Sequence, residues 1–137
     1  MDLSKFNVEK MAEMGADMPI EHPATGDELK QDDDKPITIK VLGTDSKAYR
    51  NKNREFQRER IAKMTRNRKK TIDYTVGDED ACTLLAECTV GWEGIELDGE
   101  AIEFSKEAAY DLYLSQSWIR EQVDMFIGDR ANFFRNA

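Results

Sequence analysis

The sequence contains few of the residues that build metal sites and disulfides. Its 137 residues include one histidine, His22, and two cysteines, Cys82 and Cys88. If both cysteines lie on one helix, a rise of about 1.5 Å per residue separates them by roughly 9 Å along the axis, too far for a disulfide. The chain also lacks a CxxC motif. The sequence therefore predicts two buried structural thiols and no metal or cofactor site.

Long apolar runs are also missing. The sequence has no stretch of roughly eighteen apolar residues of the kind that crosses a membrane, and residues 1–23 lack the apolar core of a secretory signal. We therefore expect a cytosolic protein without membrane contact. With 39% apolar residues and only three prolines, the chain has material for one ordinary core. We expect a single domain over residues 1–137.

Motifs that would indicate catalysis are absent from the sequence. There is no GxxxxGK phosphate loop, and no histidine stands beside a candidate nucleophile. No pair of acidic residues has a spacing that stands out from the general acidity of the chain. We therefore expect that the protein is not an enzyme.

Charge is abundant and unevenly distributed. The formal net charge is −8, yet the segment from Lys47 to Lys70 holds eleven of the twenty basic residues and only two acids, a balance of +9. The other 113 residues hold nine basic and 26 acidic side chains, a balance of −17. The basic segment is either a solvated surface helix or a binding surface. The acidic remainder would repel the phosphates of a nucleic acid, so an acidic helix or the acidic face of a second copy fits better as a partner.

The patterning of the N-terminal half predicts a helix, a strand pair and a long basic helix. Helical spacing from Phe6 indicates a short helix that ends at Gly15. The stretches MPIEHPATGDEL and KPITIKVLG are typical of paired strands, with the acidic QDDDK between them as an exposed loop. The cluster Thr44-Asp45-Ser46 then offers N-caps for a helix that continues to about Lys70.

The C-terminal half predicts helices around a short hairpin. Asp78 is expected to cap a helix that Gly91 ends, and Asp98-Gly99 is typical of the tight turn of a hairpin within residues 93–104. Ser105 is expected to cap the next helix, and a last helix should begin near Ser117. The predicted fold is α+β and helix-dominated, with three parts: a helix and strand pair (1–43), a long basic helix (44–72) and a helical core with the hairpin (77–137).

Hydrophobic spacing in the C-terminal half predicts one shared core. It should contain the large residues of the hairpin and the last two helices, namely Trp92, Phe104, Leu112, Trp118, Val123 and Phe126. In this interpretation the hairpin caps the helical core and sets the angle between two helices. Binding then falls to the surfaces around the hairpin.

The long basic helix is the candidate binding surface. Its only large apolar residues are Tyr49, Phe56, Ile61 and Met64, fewer than a helix lying fully against a core requires. We therefore expect it to project in part from the body. The predicted partner-binding residues are its two aromatic residues and most of its arginines: Tyr49, Arg50, Arg54, Phe56, Arg58, Arg60 and Arg66.

The order of short motifs in the C-terminal half resembles a known family. The run VGWEGIELDGEAIEFSKEAAYDLYLSQSWIREQVDMFIGDRANFF contains a Trp-x-Gly motif, an Asp-Gly hairpin, a Phe-Ser helix start and an Arg-x-Asn-Phe end. In this it resembles small tail-region proteins of tailed bacteriophages, the tail assembly chaperones. HPATGDEL followed by ITIKVLGTDSKAYR resembles the opening strands and the start of the charged helix in that family.

The resemblance implies a helper in tail assembly. Such chaperones are thought to coat the long tape measure protein, keep it soluble, recruit tail tube protein and then leave. The resemblance implies location in the host cytoplasm during infection and absence from the mature virion. The oppositely charged basic helix and acidic body also suit association between copies, so a homo-oligomer is a further expectation. The first alternative is a structural tail component that stays in the virion. A nucleic-acid-binding adaptor that uses the basic helix ranks third.

Overall fold

A computed structural model gives the backbone of residues 1–66 and 74–135 and the side chains of residues 1–65 and 77–135. Helices dominate, as predicted, and a small antiparallel sheet completes an α+β fold. After a 3-10 turn at Leu3–Phe6, the helices are α1 (Val8–Met14), α2 (Lys47–Arg66), α3 (Tyr74–Glu87), α4 (Lys106–Ser115), α5 (Ser117–Ile127) and α6 (Ala131–Phe134). The strands are β1 (Ala16–Pro19), β2 (Thr38–Val41), β3 (Thr89–Glu93), β4 (Glu96–Leu97) and β5 (Glu100–Ala101).

The N-terminal elements follow the predicted order. The side chain of Asn7 accepts a hydrogen bond from the backbone N–H of Lys10 at the start of α1, and Gly15 ends that helix with a φ of 79°. The predicted strand pair is confirmed as β1 and β2, although β1 begins two residues before the MPIEHPATGDEL stretch and ends at Pro19, the second residue of that stretch. The acidic loop between them is exposed, as expected.

A third strand, β3, was not predicted. The sequence-based helix from Asp78 to Gly91 is wrong at both ends: α3 begins at Tyr74 and ends at Glu87, so that Asp78 lies inside the helix and Gly91 inside β3. Strand β3 pairs antiparallel with β2, which makes β2 the central strand of the sheet. Long-range pairing with β2 therefore overrides the local helix-stop signal of a glycine.

The predicted hairpin and the helix after it are confirmed. Strands β4 and β5 pair antiparallel, and Asp98 and Gly99 both have positive φ angles, 53° and 80°, as a tight turn of this kind requires. The paired part is short and lies inside the predicted range 93–104. Ser105 caps α4 by accepting a hydrogen bond from the N–H of Ala108 at 2.9 Å.

The core lies between one face of the sheet and the helices α3, α4 and α5. Ile39 and Val41 of the central strand are fully buried, and so are Tyr113 and Val123. The predicted core is confirmed as one cluster: Leu112 and Val123 are buried, while the four aromatic residues are half-buried at its edge. Trp92 and Phe104 pack edge to face with ring centres 5.1 Å apart. Cys82 and Cys88 are free and buried, as expected of structural thiols.

The basic helix as candidate interaction surface

The first turns of α2 are anchored to the N-terminal part of the chain. The predicted cap is confirmed, because the hydroxyl of Ser46 accepts a hydrogen bond from the N–H of Tyr49 at 3.3 Å. The carboxylate of Glu13 in α1 accepts a second one from the N–H of Lys47. Arg50 forms an ion pair with Glu9 at 2.8 Å. These contacts determine the direction in which the helix leaves the body.

Two of the predicted partner-binding residues are directed towards the protein itself. Tyr49 packs against the core cluster, and its burial raises the pKa of its hydroxyl above the ordinary value. Phe56, two helical turns later, is only 9% exposed. Since residues seven positions apart share one helix face, Tyr49 and Phe56 mark the inner face of α2. Neither of them, nor the half-buried Arg50, offers a free contact surface to a partner.

Three of the other predicted arginines, Arg54, Arg58 and Arg60, lie on the exposed part of the helix. Arg54 and Arg58 share a face with Ile61, because positions i, i+4 and i+7 lie above one another on a helix. Arg60 is also exposed, and none of these three arginines forms an ion pair within residues 1–65 and 77–135. Arg66 is the last residue of α2, and its side chain lies outside the described part of the chain, as do residues 67–70 of the predicted helix.

Exposed apolar side chains accompany these arginines. Ile61 is 66% exposed and Met64 is 73% exposed, whereas Phe56, five residues before Ile61, is buried. The helix therefore changes character near Phe56: its first half packs on the body, and its second half presents basic and apolar groups to solvent. We call the segment Arg54–Met64 the distal segment of α2. The sequence-based expectation of a partly projecting helix agrees with this arrangement.

An acidic groove, which was not predicted from the sequence, lies beside the hairpin. It has a volume of about 610 Å³ and lies between the loop at residues 30–33 and the chain from Trp92 to Phe104. Its apolar lining is Ile37, Trp92, Ile95, Ile102 and Phe104, and its charged lining is Lys30, Asp32, Asp33, Glu93, Glu96 and Glu103. Five acids against one lysine make the groove strongly negative.

The groove is held in shape by hydrogen bonds and close packing. The indole N–H of Trp92 donates to the carbonyl oxygen of Ile102 at 2.8 Å, which joins the two sides of the hairpin. The side-chain amide of Gln31 donates to the carbonyl oxygen of Pro36 at 3.2 Å and lies close against Gly94. The groove could not be predicted from the sequence because its two walls are about sixty residues apart in the chain. The repeated glutamates of the hairpin were its only local signal.

The described residues do not provide a metal site or a membrane-spanning helix. Within residues 1–66 and 74–135, no three histidine, cysteine or acidic side chains are placed to hold a metal ion. No helix of the described residues has the length and apolar character needed to cross a bilayer. Burial raises the pKa of the Cys88 thiol to about 12, so this thiol stays protonated at neutral pH.

Comparison with known proteins places the chain in one family. Searches of curated proteins and of solved structures gave no significant match. Residues 44–135, however, match the model of a family described as YdaY prophage protein. The matched segment is about two thirds of the 137 residues and includes α2, the hairpin and the C-terminal helices. The chain therefore belongs to the YdaY prophage protein family and is of phage origin.

Proposed function

We propose that this prophage protein is a non-enzymatic tail assembly chaperone. It binds the tape measure protein of its phage, keeps it soluble in the host cytoplasm and helps to recruit tail tube protein. The distal segment of α2 carries the proposal: exposed Arg54, Arg58 and Arg60 stand beside exposed Ile61 and Met64 in a chain that is otherwise acidic. A family of phage origin and the motif order of the C-terminal half support the same function.

The distal segment has the chemistry that a reversible coat requires. A tape measure protein is a long, partly helical polymer, so its chaperone must bind many times along it with modest affinity and must later leave. Ile61 and Met64 supply a small apolar contact, and the arginines add electrostatic attraction that speeds association and weakens with salt. A small, charged contact of this kind binds without becoming permanent.

Nucleic acid is a less suitable partner for this surface. Single-stranded nucleic acid is bound through aromatic side chains that stack on the bases, together with basic residues along the backbone. Both aromatic residues of α2, Tyr49 and Phe56, lie on its inner face and are half-buried or buried. The acidic groove and the overall charge of −8 would also repel phosphate.

The proposal is tested by co-expression of the tape measure protein with this protein. The tape measure is expressed alone, with wild type and with the triple variant Arg54→Glu, Arg58→Glu, Arg60→Glu, and its soluble fraction is measured. We expect wild type to raise the soluble fraction and the triple variant to raise it much less. The variant should still fold, because exposed charges contribute little to stability.

A matched control separates the position of the charges from their number. The variant Lys5→Glu, Lys10→Glu, Arg135→Glu makes the same change in net charge at exposed residues away from α2 and should act like wild type. A tape measure protein that stays equally insoluble with and without wild type would overturn the chaperone function. Equal rescue by wild type and by the α2 variant would remove the distal segment from the binding site.

A further inference from the structure

The acidic groove and the distal segment of α2 are complementary in charge and in chemistry. The groove has an apolar floor and a rim of carboxylates, and the distal segment has two exposed apolar side chains among basic ones. Both surfaces belong to every copy of the chain. Opposite charges across an interface increase the rate and the specificity of association.

The groove is suited to one face of a helix. Its floor includes Trp92 and Phe104, which pack edge to face, and the half-buried Ile102 extends the apolar surface. Glu93, Glu96 and Glu103 stand exposed along the rim. Helix-in-groove recognition uses this arrangement, in which apolar side chains enter the groove and charged ones pair along its edges.

The distal segment is a helix face of the matching kind. Ile61 and Met64 are three residues apart and can enter a groove side by side. Arg58 and Arg60 flank them, and Arg54 extends the basic surface by one further turn. Because these arginines form no ion pair within the described residues, their charge is available to carboxylates of another molecule.

We propose that the distal segment of α2 in one copy docks into the acidic groove of a second copy. The two surfaces differ from each other, so the contact is heterologous, and each docked copy still presents one free helix and one free groove. Copies therefore join head to tail into open chains or closed rings. Both surfaces belong to the chain itself, so this self-docking does not depend on the proposed chaperone function.

Self-docking has a consequence for the proposed function. A tape measure protein that binds Arg54, Arg58 and Arg60 competes with the groove of a neighbouring copy for the same side chains. Free chaperone then keeps its basic helix covered by another copy until the tape measure displaces it. The groove of one copy also covers the apolar Ile61 and Met64 of its neighbour and so protects them from nonspecific contacts.

The test is a charge-swap experiment followed by sedimentation velocity at low salt. The helix variant is Arg54→Glu, Arg58→Glu, Arg60→Glu, and the groove variant is Glu93→Lys, Glu96→Lys, Glu103→Lys. We expect wild type to gain mass with rising concentration and each variant alone to remain monomeric. An equimolar mixture of the two variants should associate again, because the helix of the groove variant meets an unchanged groove on the helix variant.

Restored association in the mixture is a result that misfolding could not produce. A control variant, Asp17→Lys, Asp111→Lys, Glu121→Lys, changes the charge equally at exposed acids outside the groove and should associate like wild type. The proposal is overturned if wild type stays monomeric at low salt or if two folded variants fail to associate when mixed. Because the experiment contains no tape measure protein, its outcome is independent of the co-expression assay.

Discussion

Arg130 and Asp45 form a two-pronged ion pair between residues that are 85 positions apart. The guanidinium donates from Nε to Oδ2 at 2.7 Å and from Nη2 to Oδ1 at 2.9 Å. Beside this pair, the N–H of Thr44 donates to the carbonyl oxygen of Ile127 at 3.2 Å. Together these bonds attach the start of the basic helix to the end of α5.

The ion pair makes part of the stability depend on pH. Hydrogen bonds from Arg130 lower the pKa of Asp45 below its ordinary value of 3.8, against the opposing effect of burial. A lowered folded-state pKa means that the ionised carboxylate stabilises the fold, fully above pH 3.8 and less as pH falls through the lowered pKa. Arg130→Ala should therefore lower the melting temperature at neutral pH, and the difference from wild type should shrink as the pH falls below 3.8.

Circular dichroism melts across this pH range measure the effect. Arg135→Ala is the matched control, because it removes a nearby exposed arginine that forms no ion pair within the described residues. The control should melt like wild type throughout. A difference between Arg130→Ala and wild type that is constant over the whole range would show that Asp45 is not the titrating partner.

Tyr113 connects three elements through one buried hydrogen-bond chain. The hydroxyl of Thr89 donates to the carbonyl oxygen of Leu85 at 2.8 Å, so the hydroxyl of Tyr113 is the donor to Thr89, 2.7 Å away. Both residues are fully buried. Tyr113→Phe should lower the free energy of unfolding by about 1 kcal/mol, the usual net contribution of such a bond. Urea unfolding measures this change, and Tyr110→Phe, at a half-buried ring on the same helix, should leave the midpoint unchanged.

Lys106 stabilises the end of a helix to which it does not belong. Its position in the first turn of α4 is unfavourable for a positive charge. Its ammonium nevertheless donates to the carbonyl oxygens of Ala86, Glu87 and Thr89, at 3.2, 2.9 and 2.8 Å. Lys106→Met keeps the apolar stem, and removal of the ammonium should cost about 1–2 kcal/mol.

Hydrogen exchange locates the effect of this change. The amides at the end of α3 and in β3 should exchange faster in Lys106→Met, while those of α5 should follow only the global change in stability. Lys10→Met, at an exposed lysine of α1, is the control. Uniform acceleration across all elements would mean that Lys106 has no local capping role.

Local signals in the sequence were sufficient for the elements that depend on local chemistry. The cap at Ser105 and the Asp98-Gly99 turn follow from hydrogen bonds and φ angles within a few residues, and both are present. Strand β3 depends instead on pairing with β2 about fifty residues earlier, which no local pattern reveals. The predicted cap at Asp78 is wrong because α3 begins four residues earlier, at Tyr74, and Asp78 lies within the helix.

The interaction surfaces were likewise predictable only where they depend on local sequence. The charge of α2 can be read from the sequence, but its inner face at Tyr49 and Phe56 depends on how the helix packs. The acidic groove depends on the approach of the Gln31 loop to Gly94, a contact between distant parts of the chain. The charge of a surface can therefore be predicted from the sequence. The shape of that surface cannot, because it depends on tertiary contacts.

Three glycines near the groove provide a graded test of backbone strain. Gly94 has a φ of 84°, and an added Cβ would lie 2.6 Å from the side chain of Gln31. Gly99 has a φ of 80° but open space around it, and Gly91 has neither constraint. Alanine should cost roughly 1 kcal/mol at Gly99, through the left-handed conformation alone, and more at Gly94. Gly91→Ala should be close to neutral in the same thermal melts.

The additional cost at Gly94 should depend on Gln31. The side chain of Gln31 must move to admit the new methyl group and then loses its hydrogen bond to Pro36. In Gln31→Ala this obstacle is absent, so Gly94→Ala in that background should cost about as much as Gly99→Ala. An unchanged cost in both backgrounds would assign the whole effect to the backbone.

The last prediction concerns the location of the protein during phage production. A chaperone that covers the tape measure protein must leave before tail tube protein closes around it, so the proposed function implies a protein present in the host cytoplasm and absent from finished particles. Induction of the prophage, followed by separation of purified particles from the cleared lysate and quantitative immunoblotting of both, measures this distribution. We expect the protein in the lysate alone, with a tail tube protein as the positive control for particles. A fixed number of copies in each particle would instead identify a structural tail component.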